Sequence, residues 1–126
     1  MPRKSFTSER MPPSGLPFSP AVLGAADAVY LSGQVGHDPA TGRLVEGGVA
    51  AQTEQALRNL SAVLEAAGRT LDDVVRVGVY LTDMDDFAAM NEVYARSFAQ
   101  PYPARTTIGV AALPLGAAVE IDLVAR

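Results

Sequence analysis

The 126-residue chain has no cysteine, no tryptophan and a single histidine, His37. Without cysteine there is no disulfide, no thiol nucleophile and no thiolate metal site. One histidine excludes a multi-histidine zinc centre within a single chain. Basic residues are also few, 10 Lys and Arg against 14 Asp and Glu, for a net charge of −4. Phosphate binding is driven by clustered Lys and Arg, so this balance argues against nucleic acid as a principal partner. No apolar run approaches the ~20 residues of a membrane helix. No basic segment followed by an apolar one opens the chain. The expectation is a soluble, cytoplasmic protein with no membrane partner. GxGxxG and P-loop spacings are missing as well, so a nucleotide cofactor has no site motif.

What remains is ordinary globular material, 48% apolar and 19% charged. At this length it makes one domain, residues 1–126, large enough to bury a core. A short strand is expected around Arg3–Thr7, then a loop from Met11 to Pro20, where four prolines and a glycine forbid regular structure. Ala28–Val35 alternates, with Val29, Leu31, Gly33 and Val35 on one face and Tyr30, Ser32 and Gln34 on the other. Asp38–Gly42 reads as a turn. Ala56, Leu57, Leu60, Val63, Leu64 and Ala67 recur at helical spacing and predict a helix over Gly48–Ala67, stopped by Gly68. Val74–Thr82 alternates again. A second helix begins in the acids Asp83, Asp85 and Asp86, with the stripe Phe87, Met90, Tyr94 and Phe98. Thr106–Ala112 and Ala118–Ala125 are the last strands, joined by the turn-rich Leu113–Gly116. The order β-β-α-β-α-β-β predicts an α+β fold with two helices on one face of a mixed sheet.

Val29, Leu31, Val75, Val77, Val79, Val119, Ile121 and Leu123 then lie beneath the helices. Tyr30, Ser32, Gln34, Arg76, Tyr80, Thr82, Glu120 and Asp122 occupy the other face. That face is either solvated or a wet subunit contact.

Three residues could carry chemistry. Arg105 follows Pro101-Tyr102-Pro103-Ala104 at the entry to a strand. A guanidinium held there suits bidentate capture of a carboxylate, or it is a surface arginine paired with an acid. Glu120 interrupts an apolar alternation and points away from the core. It is a solvent-facing acid, or a carboxylate that orients or deprotonates water, with Asp122 raising its pKa if both are enclosed. Asn91 sits at the margin of the second helix's stripe, as a structural cap or a substrate contact. Ser32 and Gln34 flank Gly33, where glycine permits close approach. Ser19 and Ser32 have only His37 as a possible base, and it lies in a turn. Asp83, Asp85 and Asp86 read as helix-start acids rather than cation ligands.

The sequence resembles the RidA family of reactive intermediate and imine deaminases, once described as translation-inhibiting endoribonucleases. The resemblance runs from about Pro17 to the C-terminus. It rests on Leu31-Ser32-Gly33-Gln34, Asp38-Pro39 through Thr41-Gly42, Gln52-Thr53 and Leu64-Glu65-Ala66-Ala67-Gly68. It continues through Asn91-Glu92-Val93-Tyr94, Pro103-Ala104-Arg105, Leu113-Pro114 and Val119-Glu120-Ile121. It implies a chorismate-mutase-like fold and a homotrimer whose sheets form a barrel, with a site in each intersubunit cleft. It further implies hydrolysis of enamine and imine acids such as 2-aminoacrylate to 2-keto acids and ammonia, without cofactor or metal. By that resemblance Arg105 clamps the substrate carboxylate, Glu120 positions the attacking water, and Ser32, Gly33 and Asn91 line the cleft. Two departures bear on substrate preference. Leu16-Pro17-Phe18-Ser19-Pro20 stands where the family commonly has Gly-Pro-Tyr-Ser-Gln, so Phe18 lacks a hydroxyl. Thr107 stands where many members have cysteine. A ribonuclease, or a non-catalytic carboxylate-binding or protein-protecting module, are the alternatives.

Overall fold

The computed structural model describes residues 2–12 and 14–126, and Pro13, within the proline-rich loop, lies outside them. The strands are β1 (Ser5–Phe6), β2 (Ala21–Leu23), β3 (Val29–Val35), β4 (Val74–Leu81), β5 (Ala104–Gly109) and β6 (Val119–Ala125). Helix α1 (Gly48–Ala66) joins β3 to β4, and α2 (Phe87–Ser97) joins β4 to β5. The strands form one sheet in the order β1-β2-β3-β6-β4-β5. All neighbours run antiparallel except β4 and β5, the pair whose crossover is α2. This is the expected α+β architecture, a mixed sheet carrying two helices. Among the described residues, no helix is long and apolar enough to cross a membrane.

The alternating strands and the helical stripes meet in one core. Leu60, Leu64, Val77, Val79, Leu81, Met90, Val119 and Ile121 are fully buried in it. Burying aliphatic side chains of this size is worth about 1.5–3 kcal/mol each. Helix α1 ends where Gly68 N–H reaches Glu65 O and Arg69 N–H reaches Leu64 O. The acids before α2 act one step earlier than expected: Asp83 accepts from the Asp85 N–H and caps a 3-10 turn over Met84–Asp86.

Four further local expectations change. Strand β2 is an addition to the expected order, because three residues between Pro20 and Gly24 are too few to show an alternation. Strand β5 ends at Gly109, so Val110–Ala112 are not part of it. A bulge between Val74 and Arg76 turns Val74 inward and leaves Val75 49% exposed, where an unbroken alternation would bury it. A second irregularity between Leu31 and Gln34 reverses the faces there. Gln34 is buried, and Gly33 turns to the face that carries Glu120.

Helix α1 also carries buried polar groups that fix the ends of two strands. Asn59 Nδ2 donates to Val35 O (3.3 Å) and His37 O (3.0 Å). Gln52 Oε1 accepts from the Ala118 N–H at 2.8 Å, just before β6. Gly36 lies against the Gln52 backbone, where a Cβ would collide. Asn59→Ala therefore leaves two carbonyls without their donor and opens a cavity. It should lower the unfolding free energy by about 2 kcal/mol, measured by urea denaturation at fixed protein concentration.

Candidate active site

Arg105 lies on β5, opposite Val77 of β4, and its side chain crosses over α2. The guanidinium carbon stands 4.6 Å from the centre of the Tyr94 ring and 5.7 Å from that of Phe87. Its Nη1 is 3.9 Å from Met90 Sδ. The ion pairs among the described residues are Arg10–Glu65, Arg58–Glu54 and Arg96–Glu92, and Arg105 belongs to none of them. The reading of Arg105 as a surface arginine paired with an acid is thus replaced by one of a cation held on two aromatic faces. Phe87 serves here and is 38% exposed, rather than lying wholly under the sheet.

The guanidinium borders a cavity of about 280 Å³ together with Asn91, Tyr94, Tyr102 and Pro103. Asn91 Oδ1, Tyr94 OH and Thr107 Oγ1 are buried atoms with no hydrogen-bond partner among the described residues. Burial raises the Tyr94 pKa above that of a free tyrosine, an effect the Arg105 charge opposes. Unsatisfied buried oxygens beside an unpaired guanidinium make a place where a small polar or anionic group would gain partners.

Glu120 lies elsewhere. It projects from β6 on the face away from the helices, opposite Tyr80 on β4 and Val35 on β3. Gly33 faces it so closely that a Cβ would collide with the carboxylate. Glu120, Gly33, Phe18, Leu115, Pro114 and His37 share a second, larger cavity of about 970 Å³. Burial, and then the neighbouring Asp122 charge, raise the Glu120 pKa above the usual carboxylate range.

Gly33 and Phe18 are thus gathered with Glu120, and Asn91 with Arg105. Thr107 stands two residues along β5 from Arg105. Ser32 is already engaged, its hydroxyl donating to Ser19 O at 2.6 Å and holding the proline-rich loop on β3. His37 is half-buried at the edge of the larger cavity rather than fully exposed, with Nδ1 3.3 Å from Val35 O. Within the chain the Arg105 and Glu120 groups stay apart, on strands separated by β4 and on opposite faces. Sequence reasoning did not single out Tyr94, Phe87 and Met90 as the bed of Arg105. The signal was their helical spacing, which a core stripe shares.

A sequence model of the endoribonuclease L-PSP family matches residues 8–126. The chain belongs to this family, the RidA family. Protein DfrA of Myxococcus xanthus is 48% identical over 126 residues, which cover 99% of this chain and 96% of that one. The 2-iminobutanoate/2-iminopropanoate deaminase of Bos taurus is 45% identical over 123 residues, 98% of this chain and 89% of that one. Among solved structures, RidA from an Antarctic Psychrobacter superposes with a TM-score of 0.91 at 44% identity, covering 98% of this chain and 99% of that one.

In this RidA-family chain the raised Glu120 pKa has a consequence for stability. A carboxyl that holds its proton more tightly when folded contributes stability below its unfolded pKa and loses it as pH rises through the folded value. Glu120→Gln removes that loss. Its melting temperature relative to the natural protein should therefore rise from pH 4 to pH 8, as followed by circular dichroism.

Proposed function

We propose that the chain is a cytoplasmic deaminase of 2-imino and 2-enamino acids, acting in clefts between the subunits of a homotrimer. The observation that carries this reading is Arg105, an unpaired guanidinium bedded on Tyr94 beside unsatisfied oxygens of Asn91 and Tyr94. Such a fork matches a carboxylate bidentately. The name of the Bos taurus relative supplies the substrate class.

The chemistry asks for little beyond placement. A protonated imine carbon is electrophilic, so a positioned water and a proton carrier suffice. Arg105 binds the substrate carboxylate. Glu120 takes a proton from water as its oxygen bonds to the imine carbon, giving a carbinolamine. Glu120 returns the proton to nitrogen and accepts the hydroxyl proton as the C–N bond breaks, and ammonia and a 2-keto acid leave.

Assembly is required because Arg105 and Glu120 do not meet within one protomer. Strand β5 is the border of the sheet, and Ile108, Tyr102 and Met84 near it are 46%, 47% and 46% exposed. That open border supports contact with a second copy, which would bring its own Glu120 face to Arg105.

Arg105→Lys keeps the charge but loses the planar fork. It should lower kcat/KM for 2-aminoacrylate, generated in situ by a dehydratase, by about a hundredfold. Arg105→Ala should abolish binding of 2-ketobutyrate in calorimetry while light scattering still gives three times the protomer mass. Binding of 2-ketobutyrate by the natural protein with no imine turnover would instead establish a non-catalytic carboxylate-binding module.

Phe18, Leu16, Pro114 and Leu115 make the cavity around Glu120 largely apolar. Imines with larger apolar side chains should therefore be preferred over 2-aminoacrylate. Phe18→Tyr should shift that ranking toward the small substrate, read from hydrolysis rates of alanine-, leucine- and phenylalanine-derived imino acids.

A further inference from the structure

On the sheet face away from the helices, two carboxylates stand side by side, Glu120 and Asp122, two residues apart on β6. Strand β4 sets Tyr80 opposite Glu120 and Gly78 opposite Asp122. The tyrosine does not engage the acid it faces. Its hydroxyl crosses to donate to Asp122 Oδ2 at 2.9 Å. Glycine at position 78 makes this possible, because a Cβ there would collide with both Asp122 Oδ1 and the Tyr80 hydroxyl. On the other side of β6, Gly33 leaves similar room for Glu120. Each carboxylate thus has a glycine beside it, but among the described residues only Asp122 has a hydroxyl donor.

We propose that Tyr80 and Asp122 are positioning residues for Glu120: the Tyr80 hydroxyl fixes the Asp122 carboxylate beside it, where it sets the proton affinity of the Glu120 carboxyl that takes a proton from water and returns it to the departing amine. This rests on the deaminase reading above and assigns a role to two residues outside the carboxylate clamp and the base. A like charge nearby favours the neutral form of a carboxyl. Neutral Glu120 is the state needed between attack of water and loss of ammonia. Burial and the Asp122 charge both raise the Glu120 pKa, in keeping with that role. The same hydrogen bond leads the effects that raise the Tyr80 pKa.

The other groups around Glu120 do not supply this asymmetry. Arg76 on β4 turns its guanidinium to Val77 O (2.7 Å) and Thr106 Oγ1 (3.4 Å). Tyr30 on β3 is paired with Val124 and 54% exposed. His37 and Glu9 line the wider cavity, and no hydrogen bond joins either to Glu120 among the described residues.

The test uses the full-length protein with 13C-labelled glutamate carboxyls, the Glu120 signal being assigned by its loss in Glu120→Gln. Its titration is compared in the natural protein, Asp122→Asn and Tyr80→Phe, beside the pH dependence of kcat. Asp122→Asn keeps the shape and an acceptor for Tyr80 but removes the charge. The Glu120 midpoint should then move down, and the acid limb of kcat should move to lower pH with it. Tyr80→Phe keeps the ring but frees the Asp122 carboxylate to turn away, so the Glu120 midpoint should move down there too. An unchanged Glu120 titration in both variants would overturn the proposal and leave the Tyr80–Asp122 bond purely structural. The titration needs no turnover. Absence of imine hydrolysis by the natural protein would therefore sink the deaminase reading and the proton transfer to an amine, and the shift in midpoint would still decide separately whether Tyr80 and Asp122 set the Glu120 carboxyl.

Discussion

The grip of α1 on two strand ends is the constraint from which the far face of the sheet takes its shape. Asn59 and Gln52 are buried polar side chains in an apolar layer, and they are tolerated because each has a backbone partner. Their partners are the last residue of β3, His37 two residues beyond it, and the residue just before β6. Gly36 lets α1 approach closely enough for both bonds to form. With those two ends fixed, Gly33 and Glu120 are fixed relative to each other, although both face away from the helix.

The chain's two chemical centres differ in physical character. Around Arg105 a cation is offered π-faces and a thioether, with no ion-pair partner among the described residues. Around Glu120 an acid is offered apolar walls and another acid. One centre lacks a negative charge and the other resists carrying one. A substrate with a carboxylate at one end supplies the charge that the first lacks, and a protonated nitrogen near the other favours the ionised Glu120 that takes a proton from water. That complementarity is the electrostatic logic of the proposed reaction.

Much of this was legible in the sequence where a period extended over several residues. The α1 stripe, the β6 alternation and the outward placement of Glu120 all follow from it. The two bulges were not legible, because an inserted residue leaves no compositional mark, and so Val75 and Gly33 came out on the wrong faces. Strand β2 was too short to show a period. For Arg105 the sequence offered two readings, and what separates them is the absence of an acid within reach, a fact of tertiary packing. The hydrogen bond from Tyr80 was hidden for a related reason. It joins residues 42 positions apart through a diagonal that register alone does not reveal.

The glycine at position 78 ties together three positions that a residue-by-residue view would treat as independent. As long as residue 80 carries a hydroxyl that reaches Asp122, a side chain at position 78 must displace that hydroxyl or the carboxylate. Were residue 80 to lose that hydroxyl, the Asp122 carboxylate would be free to turn aside, and a small side chain at 78 would fit. Descendants of this chain should therefore change positions 78, 80 and 122 in concert, and a graft of any one of them into a relative would carry its cost until the others followed.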